Sequence, residues 1–122
     1  MGLNRIVLRL ARNPGTEFAD GDDHRGYALV APLTPDGKLD EAVFRERRAA
    51  CVVRRFAADE DPVEGHLARR GERWFFDYGD EADADEPLYR LGDHRFAVGE
   101  YVSISDEDGR FLTYKVTEVA AA

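Results

Sequence analysis

Four side chains between residues 64 and 77, Glu64, His66, Arg73 and Asp77, are of the types that acid–base chemistry uses. If Arg70-Gly71 is the tip of a hairpin, Leu67 faces Trp74, Gly65 faces Phe76 and Val63 faces Tyr78. The same register sets Glu64 opposite Asp77 on the other face, with His66 one pair along, facing Phe75. Two carboxylates at cross-strand distance repel, and where water is scarce one of them keeps its proton, which is how a general acid is made. Arg73 would then hold an anion or polarise a substrate beside an aromatic pocket. The competing reading is a solvated face on which Arg54 or Arg73 screens the two acids and the repulsion costs only a few tenths of a kcal/mol. No nucleophile stands near them in the sequence.

Two acidic segments offer hard oxygen ligands for calcium or magnesium. The first contains Asp20, Asp22 and Asp23, followed by His24; the second contains Asp80, Asp83 and Asp85. Neither has the glycine that a calcium-hand loop requires at its sixth position, and charge runs of this kind also occur as solvated loops. His24, His66 and His94 show no spacing that ties two of them into a zinc site. Cys51, beside Val52 and Val53, reads as a small core residue. As the only cysteine it has no disulfide partner within the chain. The chain contains no nucleophile-elbow serine motif, phosphate loop or dinucleotide fingerprint, so no cofactor is expected.

These residues must be held by strands. Arg5 to Arg12 alternates, with Ile6, Leu8 and Leu10 on one side, and Asn13-Pro14-Gly15 stops it. Thr16 to Arg25 reads as a long polar loop with a lone Phe18, and Tyr27 to Leu33 as a second strand. Thr34-Pro35-Asp36-Gly37 is a turn, after which Asp40 caps a helix from Glu41 to Ala49 whose inner stripe is Val43, Arg47 and Ala50, beside Leu39 and Ala42. Cys51 to Ala57 is a third strand, ended by Ala58-Asp59-Glu60-Asp61-Pro62. Leu88 to Leu91 is a short strand turned by Gly92-Asp93.

The last hairpin joins Tyr101–Ser105 to Arg110–Val119, with Gly109 in the left-handed region, Ile104 facing Leu112 and Val102 facing Tyr114. The tail from Val119 to Ala122 is expected to fray. The segment from Phe96 to Ile104, with Gly99-Glu100-Tyr101-Val102 at its centre, followed by the Gly109 turn and Thr113 to Val116, resembles the Gly-x-x-Val strand openings of small β-barrels, which implies fold class alone. Of the aromatics, Tyr27, Trp74, Phe76, Tyr78, Tyr101, Phe111 and Tyr114 are expected mostly in a β core, and otherwise along a groove.

Hairpins at this spacing point to a mainly β protein: an antiparallel barrel or sandwich of about seven strands with one short helix around 40–49, and residues 1–122 as one β-rich domain. With 122 residues, 43% hydrophobic and 34% charged, a folded core is expected and a disordered tail is not. No run approaches the ~20 apolar residues of a membrane span, and the start lacks a secretory pattern, so the cytoplasm is the expected compartment. Fifteen arginines against two lysines suggest a GC-rich bacterial genome.

The net charge of -8 is local. Residues 77 to 109 hold eleven acids against Arg90 and Arg95 and account for the whole imbalance. This balance argues against nucleic acid as a partner. The first expectation for function is a non-catalytic accessory or binding module, meeting a protein partner or a second copy through an exposed strand edge or a mixed face. The alternatives are a small-ligand-binding barrel or acid–base enzyme using Glu64, His66, Asp77 and Arg73, and divalent-cation binding by the acidic loops.

Overall fold

The structure is a computed structural model that describes residues 2–71, 73–79, 86–87, 95–105 and 109–122. Seven antiparallel strands of five to eleven residues form one curled half-barrel sheet. They are β1 (Leu3–Leu10), β2 (Asp22–Pro32), β3 (Val52–Ala57), β4 (Glu60–Arg70), β5 (Arg73–Asp77), β7 (Tyr101–Ser105) and β8 (Phe111–Ala121). A two-residue strand, β6 (Glu86–Pro87), is added at one margin, and the spatial order is β6-β5-β4-β3-β2-β1-β8-β7. The terminal strands β6 and β7 bend back until their Cα atoms come within 8 Å of each other. The expected strand Leu88–Leu91 and its Gly92-Asp93 turn lie outside the described residues.

Alternation places one set of side chains inside the curl. Ile6, Leu8 and Leu10 from β1, Tyr27 and Leu29 from β2, Val53, Leu67, Trp74 and Phe76 from the next three strands, and Val102, Ile104, Leu112, Tyr114 and Val116 from the last hairpin all lie in one buried cluster. The last hairpin has the expected register, Val102 facing Tyr114 and Ile104 facing Leu112, and Gly109 takes φ 79. Tyr101 and Phe111 lie on the opposite, half-exposed face of this hairpin, as its alternation predicts, at 53% and 50% exposure, and so stand apart from the aromatics of the core.

The only helix among the described residues, α1 (Glu41–Arg47), continues into one 3-10 turn (Arg48–Ala50). Asp40 caps it, its Oδ1 accepting from the Val43 amide at 3.2 Å, and the preceding turn has Gly37 at φ 84. Its inward residue is Phe44, not the expected stripe: Arg47 and Ala42 are exposed, while Phe44 is 3% exposed and meets Trp74 edge-on at 4.9 Å. A seven-residue helix has room for a single anchoring side chain, and the bulkiest apolar one fills that role. Arg69 clamps the arrangement by pairing with Glu41 while lying 5.4 Å from the Trp74 ring, and this bond holds the Glu41 carboxyl below the usual carboxylate range.

Three further expectations need correction. Strand β2 begins at Asp22, inside the segment read as a polar loop, because the pairing slips between Arg9 and Leu10 and lets Leu10 face Asp22. The third strand ends at Ala57 as expected, but the stop is shorter than residues 58–62: Glu60, Asp61 and Pro62 already lie within β4, where a bulge between Arg55 and Ala57 removes the demand for the missing N–H of Pro62. The tail does not fray: Ala120 and Ala121 pair with Arg5 and Asn4, and the Ala122 amide donates to the Leu3 carbonyl.

The remaining loop is tied to β8. The Asn13 side chain acts as an extra strand residue, donating to the Ala11 and Thr113 carbonyls and accepting from the Thr113 amide at 2.8 Å. Phe18 packs beside the guanidinium groups of Arg25 and Arg110, at 4.9 and 6.0 Å, while Arg110 grips Glu17 through two 2.9 Å bonds. Those bonds bring the Glu17 carboxyl down to about 2.

Two outcomes follow. Phe44→Ala is expected to cost about 3–5 kcal/mol in denaturant unfolding, and the emission of Trp74, the only tryptophan, should shift to the red. Because the folded-state pKa of Glu17 is depressed, its contribution is present above the ordinary value of 4.5 and is lost as pH falls through about 2. A carbon NMR titration of the Glu17 carboxyl should therefore have its midpoint near 2, and in Arg110→Gln the midpoint should return toward the ordinary range.

Candidate functional site

Strands that send Leu29, Val53, Leu67 and Phe76 inward must present Ala28, Val52, Arg54, Glu64, His66 and Asp77 outward. The register arranges these in two rows across the sheet. Ala28 faces Arg54, which faces Glu64; Val52 faces His66, which faces Asp77. With Tyr78 and Gly79 they border an open concavity of about 490 Å³ on the outer side of the sheet.

Its shape comes from small residues. An added Cβ at Gly65 would run into the Asp77 carbonyl oxygen and lie 2.8 Å from the Tyr78 ring, so glycine lets the end of β5 close against β4. Asp77 then turns the chain, its Oδ1 accepting from the Gly79 amide at 2.9 Å, and the Arg55 guanidinium covers the Tyr78 ring at 5.1 Å.

The sequence-predicted residues fall as follows. Glu64, His66 and Asp77 border the same concavity, as the acid–base reading requires, but Glu64 does not face Asp77. The hairpin turns one residue later than expected: Arg70 faces Arg73, and Gly71, at φ 64, follows as the first turn residue. A positive φ at that place is what two-residue hairpin turns demand. The pairing therefore moves by two, which leaves every side chain on its expected face and changes only its neighbour. Gly65 is needed for close approach, though to Asp77 and Tyr78 and not to Phe76.

Arg73 lies beside the turn, exposed, and does not border the concavity. Arg54 stands where a cation was wanted. Its signal in the sequence is its place one residue after the inward Val53 on a strand next to Glu64.

The first acidic segment does not form a cage. Asp22 lies in β2 and its carboxylate accepts from the His24 amide at 2.9 Å, while Asp20 and Asp23 border a different concavity. Among the described residues no three His, Cys, Asp or Glu side chains gather closely enough to hold a metal ion. Asp80, Asp83, Asp85 and His94 lie outside the described residues. Cys51 is buried; its thiol donates to the Arg47 carbonyl, and burial pushes its pKa up.

Two acids and one guanidinium thus stand on neighbouring strands with an imidazole among them, each offering hydrogen bonds to a group resting on Val52 and Ala28. No residue bordering the concavity carries an aliphatic hydroxyl or a thiol. Among the described residues, no helix is long and apolar enough to cross a membrane. No protein-family model, no curated protein and no solved structure matches the chain.

Gly65→Ala should cost about 1–3 kcal/mol in guanidinium unfolding, since the new methyl must push β5 away from β4. Unchanged stability would show that the close approach is not needed.

Proposed function

We propose that the protein is a non-catalytic binding module that takes charged side chains of a partner segment on the outer face of its sheet, between Arg54, Glu64, His66 and Asp77. The observation that carries this reading is the contrast between the two faces. The inside of the curl is filled by Ile6, Leu8, Leu29, Leu67, Phe76 and Phe96, each under 2% exposed, whereas the outer side is concave, open and charged. One guanidinium beside two carboxylates suits a segment that brings both a cation and an anion, because each then finds an opposite charge.

A second reading, acid–base catalysis, draws on His66 standing directly opposite Asp77, a placement that orients an imidazole. It is the weaker of the two because His66 is exposed to water, where an electrostatic effect on a reacting group is heavily screened.

Amide NMR with short peptides carrying paired Lys and Glu residues tests the first reading. Saturable shifts are expected at Ala28, Val52, Gly65 and Gly79, and Glu64→Ala should weaken them about tenfold or less. Shifts confined to Leu8, Leu29 and Val116 would overturn it in favour of an interior site. Hydrolysis of model esters that Asp77→Asn and His66→Gln both abolish would favour the enzyme.

A further inference from the structure

On the opposite flank of the sheet the pairing builds a row that folding does not call for. Arg9 on β1 faces Lys115 on β8, and Lys115 faces Tyr101 on β7. All three point outward. Like charges directly opposite on neighbouring strands are destabilising, so this pair opposes sheet formation unless something negative lies between them. On the β2 side Arg9 faces Gly26, where any Cβ would collide with the Leu8 carbonyl oxygen, and so no side chain covers the guanidinium from there.

Arg9 is also aimed. A bulge between Val7 and Leu8 inserts Thr117 into β8, and its hydroxyl accepts from Arg9 Nη1 at 2.7 Å while lying 3.3 Å from the Val7 carbonyl. Bulges commonly redirect side chains beside binding sites. Arg9, Lys115, Tyr101 and Thr117 border an open concavity of about 530 Å³, with Arg12 adding a third cation and Asp20 and Asp23 two acceptors. Tyr101 is 53% exposed, so its ring is open for stacking.

We propose that this concavity binds a small organic anion attached to a flat ring, of the nucleoside monophosphate kind. The anionic group lies over Arg9 and Lys115 and relieves their repulsion. The ring stacks on Tyr101, and hydroxyls between the two donate to Asp20 or Asp23. The volume suits a ligand of that size. The site shares no bordering residue with the concavity around Arg54 and does not depend on the function proposed there.

The test is amide NMR titration of the intact protein with AMP, adenosine and inorganic phosphate. AMP should give saturable shifts around Leu10, Gly21 and Lys115, with tighter binding than either fragment. Tyr101→Ala should weaken AMP about tenfold and leave phosphate unchanged, whereas Lys115→Ala should weaken both. Both side chains are exposed, so these variants should fold as the parent does. Arg5→Ala removes the same charge from the same side of β1 but outside the concavity, and should leave both affinities unchanged. No saturation by about 10 mM AMP, equal binding of adenosine and AMP, or an equal loss in Arg5→Ala would overturn the proposal.

Discussion

Everything in this fold depends on a contact made across the inside of the curl. Tyr27 on β2 lies 4.9 Å from Phe76 on β5 and 5.1 Å from Tyr114 on β8, ring centre to ring centre. In a flat sheet of this order, β5 would be three strands from β2 and β8 two strands from it, or about 14 Å and about 10 Å at ordinary strand spacing. The rings touch only because the sheet bends around them. Among the described residues one helix of seven residues covers the sheet and no second layer meets its apolar face, so the sheet supplies that layer from its own far strands. Tyr27, from a strand near the middle of the order, is the residue on which both flanks close.

Bending has a structural cost, and the places that absorb it lie at or beside the outer concavities. Gly65 and Gly26 are positions where a neighbouring strand's carbonyl occupies the space of a Cβ. The bulge at Val7/Leu8 and the slip at Arg9/Leu10 increase the local twist beside Arg9, and the bulge at Arg55/Ala57 does so next to Arg54. A uniformly paired sheet would present a smooth outer wall. Here irregular pairing produces hollows on the outside, and the alternation that sends aromatic rings inward delivers Arg54, Glu64, His66 and Asp77 to one hollow and Arg9, Lys115 and Tyr101 to the other. Site and curl have a common origin.

How much of this could be read from the chain depends on whether a feature is periodic or conditional. The alternation of Ile6, Leu8 and Leu10, or of Val102, Ile104, Leu112 and Tyr114, is a local period of two and shows faces directly. Gly109 likewise announces its turn. Between Leu67 and Phe76 the faces were legible but the partners were not, because Arg70-Gly71-Glu72-Arg73 can turn at two places that preserve the same faces, and only the conformational demand on Gly71 separates them. The slip at Leu10 was illegible: nothing in Asp22-Asp23-His24-Arg25 looks like a strand until Gly26 is seen to need the room that Leu8 occupies. Phe44 was missed for a related reason, since a one-anchor helix has no periodicity to detect. At the site, Glu64, His66 and Asp77 were recognisable by type, whereas Arg54, offered by the sequence only as a screening charge beside Arg73, is chosen over it by the β3–β4 pairing.

The charge pattern separates what the fold needs from what it merely tolerates. Glu17 with Arg110 and Glu41 with Arg69 each fasten a loop or helix to the sheet, Glu41 with Arg45 braces one turn of α1, and each pair unites opposite signs. Their removal would loosen identifiable pieces of structure. Arg9 facing Lys115 does the reverse, since two cations in register on adjacent strands weaken the pairing they belong to, and the core beneath them would be as complete with threonine at either place. The first group therefore adds to stability, whereas in the second the Arg9–Thr117 hydrogen bond is set against the repulsion from Lys115. A sheet whose inward face is already committed to closing on itself carries its charges on the outward face, and the cations in register on β1 and β8 are ones that strand pairing alone does not explain.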